Sequence, residues 1–195
     1  MDIFCHNEIV LRGDPRERPY LVELTVLNAF TGIRDDLERL VTAGKVVQWV
    51  RRLSNTAVTM PGVYSLLGQT LALIEKQTQP DRLLLLQLIF QLKLLDQIGI
   101  KPRMDACARC ENPDQTLGGV FDLDAGGLLC TQCLGERSVA HSMQLGQVER
   151  ILLDQGDRLK LTMWNEFNFP VEAARSLLRL TTQFASFHTN THLPI

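Results

Sequence analysis

Cys107-Ala108-Arg109-Cys110 and Cys130-Thr131-Gln132-Cys133 read as C-x2-C, nineteen intervening residues, C-x2-C. This spacing falls in the range of four-thiolate zinc sites. A two-residue gap lets both sulfurs of a knuckle reach one ion, and two knuckles complete a tetrahedron with Zn–S distances of about 2.3 Å. Between the knuckles, Gly118 to Leu129 supplies a short strand and a Gly-rich turn of zinc-ribbon type. The insert is too small for a core of its own, so the metal stands in for one. The competing readings are four separate buried thiols, or two disulfides in any of three pairings. A lone C-x2-C redox pair would leave the other pair without a role. Paired spacing together with a reducing compartment favours a metal, expected to be a structural Zn2+ held by Cys107, Cys110, Cys130 and Cys133. A catalytic zinc keeps a position open for water, which four thiolates fill. The site would bear a formal charge of −2, which Arg103, Arg109 or Arg137 would offset. His141 has no second His or Glu at helical ligand spacing and reads as a surface or capping residue. Cys5 and His6 read as packing residues of an extended run.

Around this insert the hydrophobic period changes along the chain. Glu8–Leu11 and Tyr20–Leu27 read as extended runs separated by the turn-rich Arg12–Pro19, which predicts a β-hairpin. A lone hairpin is marginal in water and must pack on something. From Ile33, the apolar residues Leu37, Leu40, Val41, Val47 and Val50 follow helical spacing to Arg52, with acids near the start and arginines near the end to suit the helix dipole. A second helix is predicted from Pro61 through Ile74, Pro being favoured in the first turn. A third runs from Asp81 to Ile98, apolar almost all round, as in a helix buried within a bundle, and stops at Gly99. Two more are expected over Leu145–Leu153 and Pro170–His188.

Charge and composition exclude several classes. Lys+Arg and Asp+Glu number 20 and 22, and 45% of residues are hydrophobic, which is globular rather than disordered or fibrous. The longest apolar stretch, Leu83–Ile98, is broken by Gln87, Gln91, Lys93, Asp96 and Gln97, so no membrane span is expected. The N-terminal residues lack a basic stretch followed by an apolar one, so secretion is not expected and the chain reads as cytoplasmic. Residues 31–106 hold ten basic against seven acidic residues, a mild excess that by itself predicts no DNA binding. No phosphate loop, nucleophile elbow or paired-carboxylate pattern occurs, so an enzyme is not expected.

The segment Leu94-Leu95-Asp96-Gln97-Ile98-Gly99-Ile100-Lys101-Pro102-Arg103-Met104-Asp105-Ala106-Cys107, with Phe121 to Cys133 behind it, resembles the RecO family of bacterial recombination mediators. The family pattern here is a helix ending Leu-Leu-x-x-x-Gly, a knuckle introduced by Pro-x-Leu/Met-Asp, and a Gly-Gly-Leu-Leu-Cys-x-x-Cys return. The likeness is close over residues 94–133 and looser over Ala29–Leu40 and the helices after 140. It implies an oligonucleotide-binding barrel, a helical middle and a zinc module. It also implies binding of single- and double-stranded DNA, strand annealing, engagement of single-strand-binding protein, and recombinase loading with RecR near the bacterial nucleoid. Two features depart from the pattern. Residues 8–27 resemble only the last strands of a five-stranded barrel, and the chain ends Phe187–Ile195 where the family has a basic tail. A truncated, shortened or divergent member is the resulting expectation.

The expected fold is therefore mainly α: a helical bundle with an inserted four-cysteine zinc ribbon and a short N-terminal β-hairpin, the remnant of the barrel. The segments are 1–29 (hairpin), 30–106 (helical), 107–136 (ribbon) and 137–195 (C-terminal helices packing on the bundle). DNA contact is expected at Arg51, Arg52, Lys101 and Arg103 near the ribbon. The alternative is an adaptor that binds RecR or single-strand-binding protein without touching DNA.

Overall fold

In the computed structural model, the described residues are all except 1–2, 15–16, 55–59, 114–116, 136–140 and 167. The chain opens with β1 (His6–Arg12) and β2 (Tyr20–Asn28), paired antiparallel with His6 opposite Asn28 and Arg12 opposite Tyr20. The helices α1 (Thr31–Arg34), α2 (Leu37–Leu53), α3 (Pro61–Lys76) and α4 (Pro80–Gln97) follow. Next come β3 (Leu117–Asp122), β4 (Gly127–Cys130), a single turn α5 (Thr131–Leu134) and β5 (Ser142–Gln144). The chain closes with α6 (Gln147–Arg158), a 3-10 turn over Leu161–Glu166, and α7 (Val171–Thr189). The mainly α architecture with a hairpin and a cysteine ribbon is as the sequence predicts.

α4 is the centre of the bundle, with α2, α3, α6 and α7 packed around it. Its Leu85, Leu86, Leu88, Ile89, Phe90, Leu94 and Leu95 are fully buried, which explains why its sequence shows no polar face. Two buried amides interrupt it. Gln91 accepts from the Thr181 hydroxyl of α7 at 2.5 Å, and that pair fixes the register of α4 against α7. Gly99 ends the helix at φ +82, a left-handed conformation that allows the Ile100 amide to reach the Leu95 carbonyl at 3.0 Å.

The helix expected without a break from Ile33 to Arg52 is in fact two. Asp36 leaves helical geometry and caps α2, its carboxylate accepting from the Arg39 amide at 2.9 Å. Capping satisfies an amide that a continuous helix would have bonded to its own backbone, and the periodic pattern carries no trace of that exchange. The helix expected from Leu145 begins at Gln147 instead. Leu145 is drawn into the sheet, its amide bonded to the Gly119 carbonyl, while Glu149 reaches back to the Gly146 amide at 2.7 Å.

The ribbon sheet has the order β4-β3-β5, all antiparallel. It joins the bundle by alternation along β4. Leu128 packs into the main core together with Phe121, whereas Leu129 and Cys130 form a second small cluster with Cys107. Leu128 and Leu129 point to opposite faces of the strand, so one short strand serves both cores. Phe121 meets Phe184 of α7 edge to face at 5.7 Å. The hairpin, by contrast, is tied down at its base among the described residues. Arg34 donates to the carbonyls of Ile3 and Ala29, and His6 stacks edge-on against Tyr64 of α3 at 5.5 Å. Every residue of β2 is exposed.

The chain's last residues fold back onto α2, where the buried Trp49 donates its indole N–H to the Pro194 carbonyl at 2.9 Å. Trp49→Phe removes that bond and part of the buried ring, and is expected to cost about 1–2 kcal/mol in urea unfolding.

Candidate metal centre

Each knuckle is built by local backbone geometry. The first follows the Arg103–Gly127 bridge, in which the Arg103 amide donates to the Gly126 carbonyl at 2.9 Å and the Leu128 amide donates to the Arg103 carbonyl at 3.0 Å. Gly127 is required there, because a Cβ at this position would lie 2.2 Å from the Arg103 oxygen. The Ala108 amide then bonds the Leu128 carbonyl at 2.8 Å, carrying Cys107 and Cys110 alongside β4. The second knuckle sits where β4 runs directly into α5, so Cys130 ends the strand and Cys133 lies one turn on.

The result is that the four sulfurs all lie within 4.8 Å of one another, with Cys110 and Cys130 at 3.8 Å. Four sulfurs at about 2.3 Å from a shared tetrahedral ion stand about 3.8 Å apart, so the donor set fits a divalent metal. Cys107 and Cys130 are buried, Cys133 is half-buried and Cys110 is exposed. The Cys130 amide donates to Cys107 Sγ at 3.4 Å and the Cys133 amide to Cys130 Sγ at 3.5 Å.

These donors decide the protonation of the cluster. Burial alone would push the Cys107 thiol up, but backbone N–H groups of Cys110, Cys130 and Arg109 aimed at its sulfur bring it down to about 6. Cys133 moves the other way, to about 12, because its thiol shares a hydrogen bond with the Cys130 sulfur and is partly desolvated. The backbone N–H groups therefore favour the thiolate at Cys107, and the neighbouring sulfurs favour the thiol at Cys133. Metal uptake must expel the Cys133 proton, so affinity falls as pH falls.

The basic residues expected to offset the cluster act on other partners. Arg109 donates to the Cys133 carbonyl at 3.0 Å, bracing the second knuckle through its backbone. Arg103 pairs with Glu111 at 2.9 Å, and this hydrogen bond raises its pKa above the usual guanidinium range. Arg137 lies outside the described residues. His141 is a surface residue, its Nδ1 3.3 Å from the Asp124 carboxylate. Cys5 is half-buried near the Ala29 carbonyl, and neither it nor His6 joins the sulfur cluster.

Of the four cations expected to meet DNA, Lys101 and Arg103 line one cleft. This cavity of about 330 Å³ lies between the 101–105 segment and α6 and is also lined by Leu153, Asp154 and Arg158. Lys101 pairs with Asp96 at 3.7 Å. Arg51 and Arg52 stand instead at the end of α2, where Arg52 donates to the His192 carbonyl. The sequence reading missed β5 and also the bond from His188 Nε2 to the Leu123 carbonyl at 2.8 Å, which clamps the ribbon turn onto α7. Neither leaves a periodic signal.

A helical bundle whose flank carries a two-knuckle ribbon with converging sulfurs defines the class: a mainly α protein bearing a small four-cysteine module whose donor set fits a metal. The family model for Recombination protein O C terminal matches residues 34–194, and the chain belongs to that family. Among relatives, the DNA repair protein RecO of Symbiobacterium thermophilum is 34% identical over 139 residues, covering 69% of this chain and 54% of that protein. That of Halalkalibacterium halodurans is 28% identical over 132 residues, 68% of this chain and 50% of its own length. That of Syntrophus aciditrophicus is 26% identical over 190 residues, covering 94% and 71%. The chain spans about half the length of the first two. Among the described residues, no helix is long and apolar enough to cross a membrane.

Two outcomes are expected. Elemental analysis of reduced protein finds one divalent ion per chain, lost on acidification and absent in Cys130→Ser. Gly127→Ala forces the Arg103 bridge open, and a chromogenic chelator strips the metal several-fold faster than from the parent.

Proposed function

We propose that this chain acts in DNA repair and homologous recombination as a RecO-type mediator. In this reading it binds DNA and assists strand annealing or recombinase loading together with RecR and single-strand-binding protein. The observation that carries the reading is the family match over residues 34–194, which takes in both the bundle and the sulfur cluster. Its RecO relatives are named DNA repair proteins. In this reading the metal has no catalytic role, because four thiolates leave it no open position for substrate or water.

The metal is Zn2+ in a structural role. Thiolate ligands at tetrahedral spacing suit this ion, which requires no redox chemistry and no particular d-electron geometry. Bound there, it supplies the cohesion that the small Cys107–Leu129–Cys130 cluster lacks. The protein's own part is to hold the ligands in place through the Arg103–Gly127 bridge and the Arg109 brace.

Phosphate contact falls on Arg51, Arg52, Lys101 and Arg103, whose guanidinium and ammonium groups displace counterions from the strand. A second reading is favoured by one observation: Arg52, Lys101 and Arg103 already engage protein acceptors. On that reading the chain is an adaptor that holds RecR or single-strand-binding protein and leaves DNA to its partners.

Fluorescence anisotropy with labelled oligonucleotides across a salt series separates the two. For the mediator, affinity drops steeply with salt and varies little with base sequence. The double variant Arg51→Ala/Arg52→Ala then flattens the log–log slope by about 0.7 per lost contact on a single strand. Salt-independent binding, or none, with purified RecR or single-strand-binding protein still retained, selects the adaptor.

A further inference from the structure

α7 buries one face against α4 and α6 and turns the other to solvent. Arg175, Arg179, Gln183 and Phe187 recur every four residues along that outer face, and all four are exposed. From Arg175 to Phe187 the strip runs about 18 Å at the usual helical rise. Glu172 is the only exposed carboxylate on the helix, and it lies at the N-terminal end, 3.7 Å from Arg175. Arg179 has no partner among the described residues.

A single exposed phenylalanine is ordinary. Phe187, 44% exposed, is not single: His188 lies 5.4 Å away on one side and His141, from the ribbon end, 5.8 Å away on another. Both imidazoles are pinned. His188 donates to the Leu123 carbonyl and rests on the buried Phe184 at 4.5 Å, and His141 is held by Asp124. The three rings therefore stand side by side as a ledge, with both imidazoles already hydrogen-bonded to the protein. Asp124 adds one negative charge at its edge.

We infer that this outer face of α7, with His141 beside it, is a binding strip for single-stranded DNA. Arg179 meets one phosphate, Arg175 exchanges its contact with Glu172 for the next, and the Phe187 ledge receives an unpaired base. Two arginines and an aromatic ring on one face match the elements of sequence-tolerant single-strand binding, and a base can stack on a protein ring only when it is free of its own duplex. The inference rests on the reading that this chain binds DNA, and it extends that reading to residues outside the four named above.

The test uses the full, metal-loaded chain with a fluorescein-labelled oligothymidine and a duplex of equal length. Phe187→Ala is expected to weaken oligothymidine binding about tenfold and leave duplex binding unchanged, while Phe187→Tyr keeps the parent affinity. Arg179→Ala is expected to flatten the salt slope by about 0.7, and Lys76→Ala, a cation on α3, leaves it unaltered. Circular dichroism melting confirms that each variant is folded. If the parent binds oligothymidine and Phe187→Ala binds equally well, this inference fails and the DNA-binding reading stands. If the parent binds no DNA at low salt, both fall. If the strip variants lose binding to poly-glutamate but not to oligothymidine, the face serves an acidic protein partner and the inference is overturned.

Discussion

Four sulfurs within 4.8 Å of one another cannot all ionise unless a cation lies among them, because the like charges would repel at close range. Among the described residues, the apolar cluster on the sulfur side of the ribbon is Cys107, Leu129 and Cys130 with a few half-buried neighbours. A metal bound there would join its binding and the folding of the module in one equilibrium. The effect passes outward along β4, where Leu128 turns from the sulfur side to the main core and joins Phe121, which bears on Phe184. His188, one turn further along α7, clamps the ribbon turn from outside. The ribbon is thus fastened to the bundle from two sides, although its own core is too small to hold it.

The bundle is organised differently. α4 is covered on all sides by other helices and carries its own hydrophobic stabilisation, with the Gln91–Thr181 pair selecting one register among the many that leucines alone would accept. The N-terminal hairpin has neither support. β2 exposes Leu21, Val22, Leu24, Val26 and Leu27, and two strands in water are marginal on their own. The anchors at Arg34 and His6 hold its base, and the apolar surface above them remains uncovered.

Much of this was legible in the residues themselves. The hairpin strands, the starts of α3 and α7 and the end of α4 were found within a residue or two, because proline, glycine and hydrophobic period act on neighbours in the chain. The convergence of the cysteines followed from their spacing. The division of α1 from α2 did not, since Asp36 as a cap and Asp36 as an early helical residue look alike in a periodic pattern. β5 was missed because its three residues become a strand only by pairing with β3, twenty or more positions earlier. The partners of Arg103, Arg109 and Lys101 were equally hidden, since each is set by how loops approach one another.

The sequence by itself determined which segments coil into helices, where they stop and which four side chains are chemically fit to share a metal, because propensity, capping and ligand spacing are short-range properties. Only the tertiary structure decided that a glycine 24 residues beyond Arg103 admits its backbone, and that Leu128 and Leu129 serve different cores. It also decided that two imidazoles from separate elements flank Phe187. These depend on surfaces meeting in space, and contact between distant parts of a chain is settled by packing the whole rather than by any local stretch.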